Sequence, residues 1–563
     1  MDDGNKTFLL AEISKELENI TDANIKKIIL SLFNLIENQA LTIQNLQKEN
    51  QKLKDENNRL KGEQCKPEIK ENAKGKKDRD ISSEKERRNA NKKNKKKKRK
   101  KKIKITKKEC CKVNKDELPP DAQLKDYIPH TVQDIKFEIE NTLFLREKYY
   151  SQSTGKIYLG QLPAGYEGAY GPGIKTLVLV LKNDCNMSEP NILKLLQTAG
   201  IKISIGTISN LLIKKQEQFH EEKSEIVREG IESSNYQQTD HSYTRVNGEN
   251  WYTQILCNPF YTAFFTTERK TRLAVLEILL TGQENQGNNL RYKLNEDTIL
   301  ILKKLEVSKK KRNQILNLLS DKEFTKEEIE NYLSINITDL KPRTKNRIIT
   351  ACAIAAYNSQ EYYPIIKTLV CDDAPEFKLI TENLSLCWVH EGRHYKKLSP
   401  IIAYNIDRLN EFINKYWKYY KKLLCYKARP SPELAKKLSE EFDILFTTST
   451  GYECLDERIS KTLQKKERLL LVLKYPHLPL HNNASELGAR VIARKRDVSL
   501  HTITNEGTKA NDTFLTIAET CRKLGVNCFD YIYDRITKTF SIKSLADLIK
   551  EKSNVINCSL IQV

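Results

Sequence analysis

Apolar residues recur every three or four positions from Ile29 to Leu60, a helical period. Written as a heptad, the a positions are Ile29, Ile36, Ile43, Asn50 and Asn57, and the d positions are Leu32, Gln39, Leu46, Leu53 and Leu60. β-Branched residues at a with Leu at d favour a parallel two-stranded coil, and a buried Asn fixes its register. The pattern predicts a coiled coil over residues 1–64 that pairs two copies of the chain. A single amphipathic helix lying on the body fits the same period.

The heptad pattern ends at Leu60. Residues 65–118 are polar and Lys-rich, which predicts a disordered linker closed by Pro119-Pro120. Apolar patterning then returns. Ser188 to Leu196 reads as a helix, Gly200 breaks it, and Ser204 starts a second helix through Ile208, Leu211 and Leu212. Helix, Gly-containing turn, helix is the helix-turn-helix outline, shared by many helical hairpins, and it marks residues 119–230 as a candidate DNA-binding region. On that reading Ser204, Thr207 and Asn210 face phosphates or bases.

Strand-like runs follow at Tyr236–His241, Trp251–Cys257 and Tyr261–Thr267, with Asn247-Gly248 as a hairpin turn between the first two. A fourth, Ile365–Cys371, ends at Asp372-Asp373. Two largely helical segments, 282–345 and 401–475, read as insertions. The expected architecture is therefore an α/β catalytic core in three parts, 231–281, 346–400 and 476–535, with a C-terminal tail at 536–563.

Charge adds a partner. The formal net charge is +22, but residues 85–108 alone carry +15, leaving +7 for the rest. That tail suits a polyanion and its released counterions, or a solvated linker. The 13 cysteines form no CxxC pair, and only Cys110 and Cys111 adjoin, so a disulfide framework is excluded. With no secretory signal and no long apolar run, a cytoplasmic, nucleoid-associated protein without membrane contact is expected.

The candidate chemistry is acidic. Asp240 stands at the end of one strand-like run and Asp372 just after another. Glu486 begins a helical run in which Arg490, Arg494 and Asp497 share its face. Asn483 could cap that run with Glu486 as its capping-box partner. Carboxylates on separate elements can hold divalent ions, which take oxygen ligands. Cys387, His390 and His394 have metal-like spacing but lack a fourth ligand, so core packing is the better reading for Cys387 and Trp388. Arg393 and Lys396 would then reach phosphates.

Across roughly residues 160–535, the ordered motifs resemble the bacterial DDE-type transposases of the insertion-sequence-sixty-six family. They are Tyr170-Gly171-Pro172-Gly173, Gly200 to Ile208, Thr239-Asp240, Val246-Asn247-Gly248 with Trp251, Val370-Cys371-Asp372, Cys387-Trp388-Val389-His390, and Asn482 to Glu486 with Arg494-Lys495. The resemblance implies a ribonuclease-H-like catalytic core with the triad Asp240, Asp372 and Glu486, holding two Mg²⁺ ions. It implies cleavage at the ends of a mobile element and joining of the freed 3′-hydroxyls to target DNA. It also implies small element-encoded accessory proteins as partners. Arg393, Lys396, Arg490, Arg494 and Lys495 would contact phosphates. Two features depart from the family. Its cysteine pairs between coiled coil and body are missing, and the Asp240–Asp372 gap is long, which fits the 282–345 insertion; Asp373 adjoins Asp372 and is the alternative second ligand. The rival expectation is a non-catalytic dimeric DNA-binding protein, and a purely hydrolytic nuclease is a third.

Overall fold

The structure, a computed structural model, describes residues 16–17, 20–61, 105–113, 126–135, 138–280, 290–337 and 339–561. Most of the Lys-rich linker expected at 65–118 lies outside these residues, as does the beginning of the first insertion.

The heptad segment is one helix, α1 (Ala23–Leu60). Its first half packs on the body: Phe33 is buried with Leu17 and Ile402, and Ile29, Leu30 and Ile36 surround them. Buried Glu37 accepts the backbone N–H groups of Ile401 and Ile402, each at 2.9 Å, and the Asn405 amide at 3.2 Å. Those donors belong to the start of the long helix at Ala403, whose first N–H groups have no partner within the helix. Glu37 is therefore a cap supplied from another element. From Ile43 onward the seam is open, with Ile43, Leu46, Leu53 and Leu60 between 56% and 79% exposed. A seam running from residue 29 is thereby corrected: its first a residues face this chain's own body.

An exposed hairpin, β1 (Lys148–Ser151) and β2 (Lys156–Leu159), leads to a helical layer. It comprises α2 (Pro172–Asn183), α3 (Glu189–Thr198), α4 (Ile205–Ile213) and α5 (Glu217–Glu232). Gly200, at φ +89°, makes the α3–α4 turn, a backbone region that favours glycine. Ser204 caps α4 by accepting the Thr207 N–H at 3.2 Å.

Three antiparallel strands come next: β3 (Gln237–Val246), β4 (Glu249–Cys257) and β5 (Thr262–Thr267). After α6 (Arg272–Leu280), the first insertion holds β6 (Tyr292–Leu294), α7 (Glu296–Lys304), α8 (Lys309–Leu316), β7 (Ser320–Phe324) and α9 (Lys326–Asn336). The β6–β7 pair, too short and polar to stand out by alternation, was not foreseen. The chain returns through α10 (Pro342–Ser359) to β8 (Thr368–Cys371), β9 (Asn383–Leu386) and α11 (Trp388–Lys396). The second insertion is α12 (Ala403–Ala428), α13 (Pro432–Phe446), α14 (Glu453–Leu463), α15 (Lys466–Leu469) and α16 (Leu471–Lys474). Then follow α17 (Asn483–Ser499), α18 (Asn505–Leu524), α19 (Cys528–Ile536) and α20 (Leu545–Ile561).

The five central strands form one mixed sheet in the order β5–β4–β3–β8–β9. β8 runs parallel to both β3 and β9. The exposed edge of β5 is closed by a helix. Asp512, Thr516 and Thr520, one turn apart along α18, accept the N–H groups of Thr266 (2.6 Å), Phe264 (3.1 Å) and Thr262 (3.4 Å). The period of four on the helix matches the period of two on the strand, so unpaired edge donors are satisfied without another strand. The result is a helix-rich α/β protein. Among the described residues no helix is long and apolar enough to cross a membrane.

Candidate active site

Strand register brings the first two carboxylates together. Gln238 on β3 pairs with Val370 on β8, in parallel. Two residues further on stand Asp240, within β3, and Asp372, the first residue beyond β8, so the register sets the two acids side by side where β8 ends. Asp240 lies within β3, which continues to Val246, and not at a strand end as its sequence suggested.

The third carboxylate comes from the first turn of α17, and its approach is stitched to the residues beside the other two. Asn482 donates its side-chain N–H to the Thr239 carbonyl at 2.6 Å and its backbone N–H to Cys387 Sγ at 3.2 Å. Cys387 in turn donates its N–H to the Cys371 carbonyl at 3.0 Å, and Ala484 N–H reaches Gln238 Oε1 at 3.1 Å. Neighbours of Asp240, Asp372 and Glu486 are thus tied in one buried network. The cap of α17 is Asn482, whose side chain is engaged on β3, so the expected Asn483–Glu486 capping box does not form.

Electrostatics register the convergence. Burial, with repulsion from Asp372 and Glu486, pushes Asp240 up to about 7, although the His241 N–H and Arg393 oppose this. Glu486 is buried and meets two basic side chains. Arg393 Nη2 lies 3.2 Å from Oε2, and His390 Nε2 lies 3.6 Å from Oε1. Burial pulls His390 below the usual imidazole value, with Glu486 pulling the other way.

Two residues named as alternatives separate clearly. Asp373 turns away from Asp240's side, toward Lys465 (2.8 Å), Lys378 (3.1 Å) and Arg468 (3.2 Å). Burial raises its carboxyl, but these cations win and hold it below the ordinary range. His394 does not join Cys387 and His390; Glu486 does, the ligand atoms of the three lying within 4.8 Å of one another. Burial pushes the Cys387 thiol up to about 12, and its Sγ already accepts the Asn482 N–H. The oxygen atoms of Asp240, Asp372 and Glu486 are of the kind a hard divalent ion takes.

The predicted phosphate contacts divide. Arg490 and Arg494 are exposed on α17, on the face of Glu486, and Lys396 is exposed on α11. Arg393 is occupied by Glu486. Lys495 is buried and donates to the Lys182 carbonyl (2.8 Å) and Asn183 Oδ1 (3.0 Å), so it closes the end of α2 and is removed from the phosphate-facing set. On α4, Ser204 and Asn210 are exposed, and the Ser204 hydroxyl is engaged in its cap. Sequence reasoning missed Lys461, Lys465 and Arg468, which sit in the second insertion and line a cleft beside Asp372.

The fold is that of a helix-rich α/β protein built on a mixed five-stranded sheet. Residues 363–510 match the family described as Transposase IS66 family, which bears out the resemblance and supports a transposase-type function. Asp372 and Glu486 fall within the matched residues, and Asp240 precedes them. The chain is also 29% identical over 336 residues to the uncharacterized protein y4jO of Sinorhizobium fredii, an alignment spanning 58% of this chain and 100% of that protein.

Proposed function

We propose that the protein is a DNA transposase that cuts element ends and joins their 3′-hydroxyls to target DNA. The observation carrying this reading is the β3–β8 register and the hydrogen-bond network that ties the neighbours of Asp240, Asp372 and Glu486 together, in a chain whose residues 363–510 match a transposase family. Asp240, Asp372 and Glu486 would hold the Mg²⁺ ions. Such a pair, spaced about 3.5–4 Å, activates the attacking oxygen and stabilises the leaving one during in-line displacement at phosphorus. The side chains supply the rest. Arg490, Arg494 and Lys396 bind backbone phosphates, and Arg393 exchanges Glu486 for a phosphate oxygen. The parallel β3–β8–β9 pairing with acids beyond the strand register supports a ribonuclease-H-like core. α3 and α4 serve as the helix-turn-helix that recognises element ends. Residues 43–60 of α1 pair two copies, bringing two ends together.

A second reading, a non-catalytic dimeric DNA-binding protein, is favoured by one contact: the Arg393 guanidinium already pairs with Glu486. Purified protein with Mg²⁺ and a duplex bearing the element end separates the two. Cleavage and strand transfer that disappear in Asp240→Ala and Glu486→Gln support the enzyme. Activity surviving both substitutions would remove the triad, and no activity with intact DNA binding would favour the regulator.

A further inference from the structure

Beside Asp372 lies a cleft of about 700 Å³ whose far wall comes from the second insertion. Besides Arg393, which is held by Glu486, its cations are Lys378, Lys397, Arg458, Lys461, Lys465 and Arg468. Three carboxylates line the same cleft, Asp372, Asp373 and Glu391, and the last two pair with these cations. Lys465 bridges the two carboxylates, at 2.8 Å and 3.0 Å. Arg468 and Lys378 complete the shell of Asp373, and Arg458 pairs with buried Glu391. Glu391 also accepts the Thr462 hydroxyl at 2.6 Å.

Four cations on two carboxylates leave an excess of positive charge on side chains whose long rotors are already fixed. Lys397 adds to it from an exposed position at the rim, as does Lys461, which also pairs with exposed Glu457 one turn back on its helix. Fixed excess charge in a concavity concentrates the field there. Asp372 and Asp373 are consecutive, one interacting with Asp240 and the other with the cleft, so the two sites are continuous. No Phe, Tyr or Trp is among the described lining residues, so bases find no stacking platform.

We infer that this insertion is a phosphate clamp: it takes the sugar-phosphate backbone of the DNA strand running on from the carboxylate site, without reading sequence. This rests on the transposase reading for the nature of the strand, and its test is independent of catalysis. Asp373 and Glu391 hold the wall's lysines and arginines in position, and the backbone phosphates of the strand complete their charge balance.

The test compares the full chain with Lys397→Ala/Lys461→Ala, a pair that leaves the buried ion network intact. The probe is a mixed-sequence duplex with a single-stranded 3′ extension, its affinity followed against salt concentration. Each lost phosphate contact lowers the slope of log K on log salt by about 0.9 for duplex and about 0.7 for single strand, so a drop of about 1–2 is expected. The basic tail contributes equally to both proteins and cancels. Lys309→Ala/Lys310→Ala on α8, exposed and outside the cleft, is the control for net charge. An unchanged slope in the cleft variant, or an equal drop in the control, overturns the clamp. Strand transfer that persists beside an unchanged slope would leave the proposed function standing while the clamp fails. A selective slope change in a protein that cleaves nothing would leave the clamp and remove the enzyme.

Discussion

Replacing Asp240 with Asn should stabilise the ion-free protein at neutral pH and above, against the usual direction for a buried polar substitution. In the folded chain burial, Asp372 and Glu486 hold the Asp240 carboxyl up at about 7. In the unfolded chain it ionises near 3.9. Between those values the folded state keeps a proton that the unfolded state has lost, so stability falls as pH rises through the window and stays reduced above it. About three pH units at 1.36 kcal/mol each set a ceiling of about 4 kcal/mol, and relaxation with water entry brings the expected gain to about 2 kcal/mol. Asn keeps the shape and an acceptor for the His241 N–H, which Asp240 accepts at 2.8 Å. Urea unfolding in chelator, followed from about pH 5 to pH 8, should show the two proteins diverging and then running level above about pH 7.5. Adding about 10 mM Mg²⁺ should then stabilise the wild type and leave the variant nearly unmoved, because only a state that binds the ion gains by mass action. An Asp240→Asn protein equal to or weaker than wild type at pH 8 without metal would refute the crowded-carboxylate account.

Other outcomes follow from single contacts. A Cβ on Gly488 would lie 2.8 Å from Ile255 Cγ2, so Gly488→Ala should lift α17 from β4, cost about 1–3 kcal/mol and reduce strand transfer by displacing Glu486; unfolding curves and activity measured on one preparation check both. Glu37→Ala removes the acceptor for two N–H groups at the start of α12, and should cost about 1–2 kcal/mol and open α1 to proteolysis while residues 43–60 still self-associate. Arg494→Ala should lower the salt slope of DNA binding by about 0.9, whereas Lys495→Ala should lower stability and leave the slope unchanged. Equal slopes for those two variants would contradict the inward placement of Lys495.

How far the sequence disclosed this arrangement depends on whether a signal is local or spatial. The strands bearing Asp240 and Asp372 were legible because β-branched and aromatic runs are bounded by turn residues, with Asn247-Gly248 at positive φ as the hairpin chemistry requires. The helix carrying Glu486 was legible from its period, and ordered motifs tied it to the two aspartates. What the period cannot state is which way a cation on that helix points. Arg494 and Lys495 are adjacent and alike in sequence, yet a 100° step about the axis sends one outward and the other into the end of α2. The same limit governed α1, where apolar residues at a positions fit either a partner helix or the body. Phe33 and Glu37, outside the a/d set, decide for the body in the first half of the helix.

The two insertions differ in what they contribute, and that difference carries the functional argument one step further. The first packs around α10, with Lys303, Lys309 and Lys310 exposed to solvent. The second returns to the sheet: Trp388, fully buried at the start of α11, donates its indole N–H to the Leu469 carbonyl at 2.9 Å, fixing α15 against the strand that leads from Asp372. Lys465 and Arg468 are held at the carboxylate cleft by that anchor and by Asp373. Asp373 thus has work distinct from its neighbour's. One residue of the Asp-Asp pair is set beside Asp240 by the strand register, and the other positions Lys465 and Arg468, 92 and 95 residues downstream in the chain. An exchange that preserves total charge, Asp373→Asn with Lys465→Gln, should therefore retain the fold but loosen α15. It should lower DNA affinity without altering the Mg²⁺ dependence of whatever cleavage remains; a shifted Mg²⁺ optimum would place Asp373 among the ligands instead.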